Sequence, residues 1–134
     1  ASAAPATARL RAFETAEQQI RMFDEAPLAE QVAALRSSLE ELESDPDAYA
    51  HLLAAWTAQD LDWLARKALD PVRTASPELY RRLVTERNAR WTATLRDRLE
   101  GSGRTVVVVG VGHLVGADGL PARLRALGYA VEGP

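Results

Sequence analysis

Apolar positions recur at helical spacing through most of the chain. Leu28, Val32, Leu35, Leu39 and Leu42 return every three or four residues, one stripe of an amphipathic helix that Pro27 suits as a first position. Tyr49, Leu52, Leu53 and Trp56 mark the next helix, restarted by Asp45-Pro46. Asp60 can cap a third, carrying Leu61, Leu64, Ala65 and Leu69 and ended by Pro71. Thr15 and Gln18 have capping-box spacing ahead of Ala16, Ile20 and Phe23. Ser76-Pro77-Glu78 starts a long helix that Gly101 can stop. On it Tyr80, Val84, Trp91 and Leu95 share one face, and Glu86 points nearly the opposite way.

The pattern changes near the carboxyl end. Val106 to Val109 are four consecutive valines ending in glycine, which read as a strand buried on both faces. Asp118 can cap a short helix with Leu120, Leu124 and Leu127, ended by Gly128, and Tyr129 to Val131 reads as a last strand. Arg9 to Phe13 alternates and can form a short first strand. The order predicts an α/β fold: a helix-rich middle of helical hairpins packed on a small, partly parallel sheet that ends in a right-handed βαβ unit. Residues 1–8 lie ahead of any predicted element and are expected to be disordered or a truncated start. Residues 1–134 form a single domain or the carboxyl-terminal part of a larger one.

Composition narrows the function. A hydrophobic content of 47% supports a real core, and a net charge of −3 with no basic patch argues against nucleic acid as a partner. No apolar run approaches the roughly 20 residues of a membrane helix. The absence of cysteine removes disulfides, thiol chemistry and cysteine–zinc sites.

Chemistry concentrates in a few residues. His113 follows the valine strand at once, where open α/β sheets place ligands. Gly110 and Gly112 release the backbone there and are candidate cofactor-binding positions. Their spacing with Gly116 is not G-x-G-x-x-G, and an anion site on the glycine loop is a weaker alternative to a plain tight turn. Arg87 and Asn88 interrupt the apolar face of the long helix, so they either form a structural network or line a site. Glu14 can be a base, a metal ligand, a partner for Arg87 or a helix-capping carboxylate. Gln19 is a second supporting group or solvated surface. Asp118 is a cap first, and a site residue only by proximity. His51 has no acidic partner at metal-binding spacing, and the acidic run from Glu40 to Asp47 is a solvated helix end. One histidine and one carboxylate do not complete a catalytic metal site, which usually takes three protein ligands.

Phe13 to Ile20, Leu83 to Trp91, Val109 to Leu120 and Leu124 to Val131, in that order, resemble the carboxyl half of the TraB/GumN family, related to Tiki proteins. That family is described by two G-x-x-H motifs, a glutamate and an Arg-Asn pair. The second G-x-x-H falls on Gly110 and His113, the glutamate on Glu14, and the pair on Arg87 and Asn88. The resemblance implies an α/β domain and a hydrolase or protease dependent on a divalent ion such as manganese, cobalt or zinc. In that reading His113 and Glu14 are metal ligands or acid/base groups, and Arg87 and Asn88 orient them or stabilise developing charge. It also suggests the bacterial cell envelope or periplasm, and a peptide or small-molecule substrate. The first G-x-x-H is missing, since Ala48 stands three residues before His51. A half site predicts a chain that is inactive or nearly so, with open sheet edges through which it forms a homo-oligomer. The alternative is a non-catalytic binding or scaffold domain with a structural Arg-Asn-Glu-His cluster.

Overall fold

The structure is a computed structural model that describes residues 9–133, so the expectation for residues 1–8 lies outside the described part. It is helical. In chain order come α1 (Ala16–Asp24), α2 (Leu28–Ser44), α3 (Ala48–Thr57) and α4 (Leu61–Trp63). A π-helical stretch Leu64–Leu69 joins α4 to α5 (Asp70–Ala75). The long helix runs as α6 (Pro77–Tyr80), a second π-helical stretch Arg81–Thr85, and α7 (Glu86–Leu99). A 3-10 turn Val111–His113 and α8 (Leu120–Ala126) close the chain. Among the described residues no helix is long and apolar enough to cross a membrane.

Local signals hold at several ends. Thr15 and Gln18 form a full capping box on α1, with Gln18 N–H donating to Thr15 Oγ1 at 3.1 Å and Thr15 N–H to Gln18 Oε1 at 2.8 Å. Asp60 Oδ1 accepts from Trp63 N–H at 2.9 Å. Gly128, at φ +89, turns the chain beyond α8 in the left-handed region that favours glycine. Pro71 does not end its helix. It sits in the first turn of α5, directly after the π-helical stretch in which Asp70 N–H reaches back to Ala65 O. The wider turn accommodates a residue that can neither donate nor fit a regular α-helical turn. Asp118 does not cap α8, because Gly119 occupies that position.

The expected α/β fold is not there. Among the described residues there is no strand and no sheet, hence no βαβ unit and no sheet edge for self-association. Valines 106–109 carry no regular secondary structure, although β-branched side chains favour an extended backbone. No backbone hydrogen bond among the described residues joins them to another segment, and a strand exists only through such a ladder. Burial confirms the difference. Val106 and Val108 are each 89% exposed, while Val109 packs against the core, so the run is one-sided rather than covered on both faces. Residues 9–13 and 129–131, read as strands, are irregular.

The core sits where α7 meets α8. Trp91, Leu95 and Leu120 form its buried centre, with Phe13, Val109 and Leu124 packed against it. The long helix buries the face expected of it: Tyr80, Val84, Trp91 and Leu95 are all buried, and so is Asn88 between them. By contrast α1 and α2 bury none of their own residues.

Candidate functional site

The π-helical turn at Arg81–Thr85 hands directly into α7, whose second and third residues are Arg87 and Asn88. Such turns change which side chains face inward. Here Asn88 nevertheless stays on the face that helical spacing assigns it, completely inside and with no exposed surface. A buried amide must be fully partnered. Its Nδ2 donates to the carbonyl of Asp118 at 2.7 Å and, more weakly, to that of His113 at 3.4 Å. Carbonyl oxygens only accept, which fixes the nitrogen on that side. Oδ1 is therefore the atom lying 2.7 Å from His113 Nδ1.

That contact settles the imidazole. Oδ1 can only accept, so Nδ1 carries the proton and Nε2 carries the lone pair whenever the ring is neutral. The ring is neutral at ordinary pH, because burial, reinforced by the nearby Arg87 charge and partly offset by Glu14, lowers its pKa to about 4. His113 ends its 3-10 turn, with its N–H donating to Gly110 O at 2.9 Å.

Trp91 joins the histidine to the arginine. Its ring lies 4.5 Å from the His113 ring, tilted by 48°, and Arg87 Cζ stands 4.7 Å from the indole centroid. Phe13 stacks on it at 5.0 Å. Arg87 Nε donates to both oxygens of Glu14, at 3.2 and 3.0 Å, and Nη1 donates to Leu83 O at 3.1 Å. Arg90 Nη2 adds a contact to Glu14 at 3.3 Å. The Glu14 side chain is only 5% exposed, which two guanidiniums make tolerable.

The four expected side-chain residues therefore converge, through two direct contacts and one shared indole. Gly110 and Gly112 play smaller parts. Gly110 precedes the 3-10 turn, and Gly112 lies so near Leu69 that a Cβ would come within 3.2 Å of its side chain. Their roles are turn and close packing on the Leu64–Leu69 stretch. Gln19 is exposed, and His51 pairs instead with Asp45 at 3.2 Å on the surface.

Two contributors escaped the sequence reading, and a third, Asp118, figured there only as a cap and by proximity. Trp91 figured as core alone, although it lies one turn beyond Arg87, where side chains meet. Arg90 is the second charge on Glu14. Asp118 supplies its backbone carbonyl to Asn88, while its carboxylate accepts from the Tyr80 hydroxyl at 3.3 Å and lies 3.8 Å from Arg123. Burial and the Asp118 charge raise the Tyr80 pKa above the usual phenol value, so the hydroxyl keeps its proton and donates.

The donor set does not make a metal site by itself. Among the described residues no three carboxylate or imidazole groups cluster around a common point. His113 offers one free nitrogen, and Glu14 is engaged by two arginines.

A helical scaffold that buries an asparagine to hold one neutral histidine beside an arginine defines a small polar site of histidine–amide type. The chain belongs to the TraB/PrgY/gumN family, whose match covers residues 1–133. No curated protein and no solved structure matches it.

Proposed function

We propose that this chain carries the base half of a hydrolytic site, with His113 Nε2 as the group that takes a proton from the attacking water. The supporting observation is the 2.7 Å contact from His113 Nδ1 to Asn88 Oδ1, which holds the ring in the tautomer a general base needs. A pKa of about 4 keeps the lone pair available throughout the neutral range, though it makes the imidazole a weaker base than an unperturbed one. Arg87 uses Nε and Nη1 on Glu14 and Leu83, which leaves Nη2 to stabilise negative charge developing on a carbonyl or to anchor an anionic group. The substrate class in this reading is a peptide or a small acyl compound. Because the residues present do not complete a metal site, no step is assigned to manganese, cobalt or zinc.

One observation favours the scaffold alternative. Both Glu14 oxygens and all the side-chain polar atoms of Asn88 are satisfied within the protein, as a purely structural cluster requires. Hydrolysis of peptide and activated-ester substrates by the chain and by His113→Gln separates the two. The hydrolase reading expects a loss of at least about 100-fold in kcat/KM with the melting temperature little changed. Equal rates for both proteins, measurable above the rate of the buffer alone, assign the cluster to structure alone.

A further inference from the structure

Helix α2 carries an unpartnered apolar stripe. Leu28, Val32, Leu35, Leu39 and Leu42 are 49–74% exposed, although their spacing is that of a buried stripe. The steps run four, three, four and three, the a/d repeat of a coiled coil rather than the broader face of a core helix. Among the described residues the side-chain ties of the helix to its surroundings lie at its two ends: Glu30 pairs with Arg82 and Gln31 Nε2 donates to Ala26 O at 2.8 Å at the start, and the capping Asp45 meets His51 at 3.2 Å at the finish. A helix of 17 residues is marginal in water without packing along one face.

We propose that this seam pairs with α2 of a second copy of the chain, antiparallel about a two-fold axis. The positions flanking the seam are Ala29, Gln31, Arg36, Ser38 and Glu43, so the one like-charge contact in this register is Arg36 with its own copy at the two-fold axis, and neither side carries a run of like charge. Glu30, Glu40 and Glu41 lie away from it. Orientation follows from the ends. The last turn of α2 has no basic residue, and Glu40, Glu41 and Glu43 crowd a helix end that already carries negative dipole charge. Parallel pairing brings both acidic ends together. Antiparallel pairing sets each beside the other copy's positive helix start, where the Glu30 charge is already taken up by Arg82. The contact runs about 25 Å, which falls near the small end of stable interfaces, about 1,200 Å² in total. The dimer therefore dissociates on dilution. This replaces the sheet-edge association expected from the sequence with a helical one.

Sedimentation equilibrium of the whole chain from about 1 µM to about 100 µM reads the association. The expected result is a rise from monomer to dimer mass, weakened at least tenfold by Leu35→Glu and separately by Leu39→Lys. Both residues are exposed in the single chain, so their replacement leaves the α7–α8 core and its near-ultraviolet signal unchanged. Since the chain has no cysteine, engineered thiols report orientation directly. A mixture of Ala29→Cys and Glu43→Cys proteins forms the mixed disulfide, while Glu43→Cys alone forms none. A monomer at every concentration, a dimer indifferent to both seam substitutions, or a Glu43→Cys homodisulfide overturns the proposal.

Discussion

Asn88 Oδ1 lies 2.7 Å from Nδ1 of His113, and the same amide donates to the Asp118 carbonyl. One buried side chain thereby fixes both the tautomer of the imidazole and the course of the loop behind it.

Asn88 should be costly to remove. Asn88→Ala leaves the Asp118 carbonyl and the His113 ring nitrogen without their partner in a fully buried place, and about 3 kcal/mol of stability should be lost. Asn88→Asp keeps an acceptor for Nδ1 but sets a carboxylate against the Asp118 carbonyl. It should raise the His113 pKa while also destabilising the fold. Urea titration at pH 7 measures the first effect and histidine NMR the second.

Stability should depend on pH through His113. Its pKa is about 4 in the folded chain and about 6.5 when unfolded. Between those values the unfolded state binds a proton that the native state refuses, so stability falls as pH drops from about 6.5 to about 4 and is flat above. Allowing for solvent screening of a half-buried ring, the loss is about 2 kcal/mol. His113→Gln should flatten that window, which thermal melts from pH 8 to pH 4 will check.

Glu14 should matter through Arg87. Glu14→Gln leaves a guanidinium whose side chain is 15% exposed against Trp91 without its carboxylate, at a cost of about 2 kcal/mol. Because the Glu14 charge raises the His113 pKa, the same change should move the titration midpoint further down, and Arg87→Gln should move it up. Opposite shifts in the two variants would tie all three residues to one site, whereas identical midpoints would separate them.

Gly119 should resist substitution for want of space, not for backbone conformation. A Cβ there meets Leu114 O at 2.7 Å and Val115 O at 2.9 Å, both backbone atoms. Gly119→Ala should cost about 2 kcal/mol and displace the Asp118 carbonyl from Asn88. Thermal unfolding gives the cost, and the Asn88 side-chain amide resonances report the displacement.

The site was more legible in the sequence than the fold. Arg87 and Asn88 stand out because polar groups inside an apolar helical stripe need partners, and the partners are there: Glu14, His113 and two backbone carbonyls. Helix starts were equally plain at Thr15 and Asp60, where the cap is written in the side chain that makes it. The valine run misled because β-branched residues specify an extended backbone but not the neighbour that turns it into a strand. Pro71 misled because a wider π-helical turn precedes it and leaves it room, a geometry that a local helix-stop rule does not contain. Tyr80 and Asp118 are 38 positions apart, and nothing local predicts their hydrogen bond.

The most direct test is the nitrogen-15 spectrum of the His113 ring across pH. The structure predicts a proton on Nδ1 and a bare Nε2 at pH 7, with protonation only near pH 4. A ring protonated on Nε2, or one that titrates at the ordinary value near 6.5, would contradict the account.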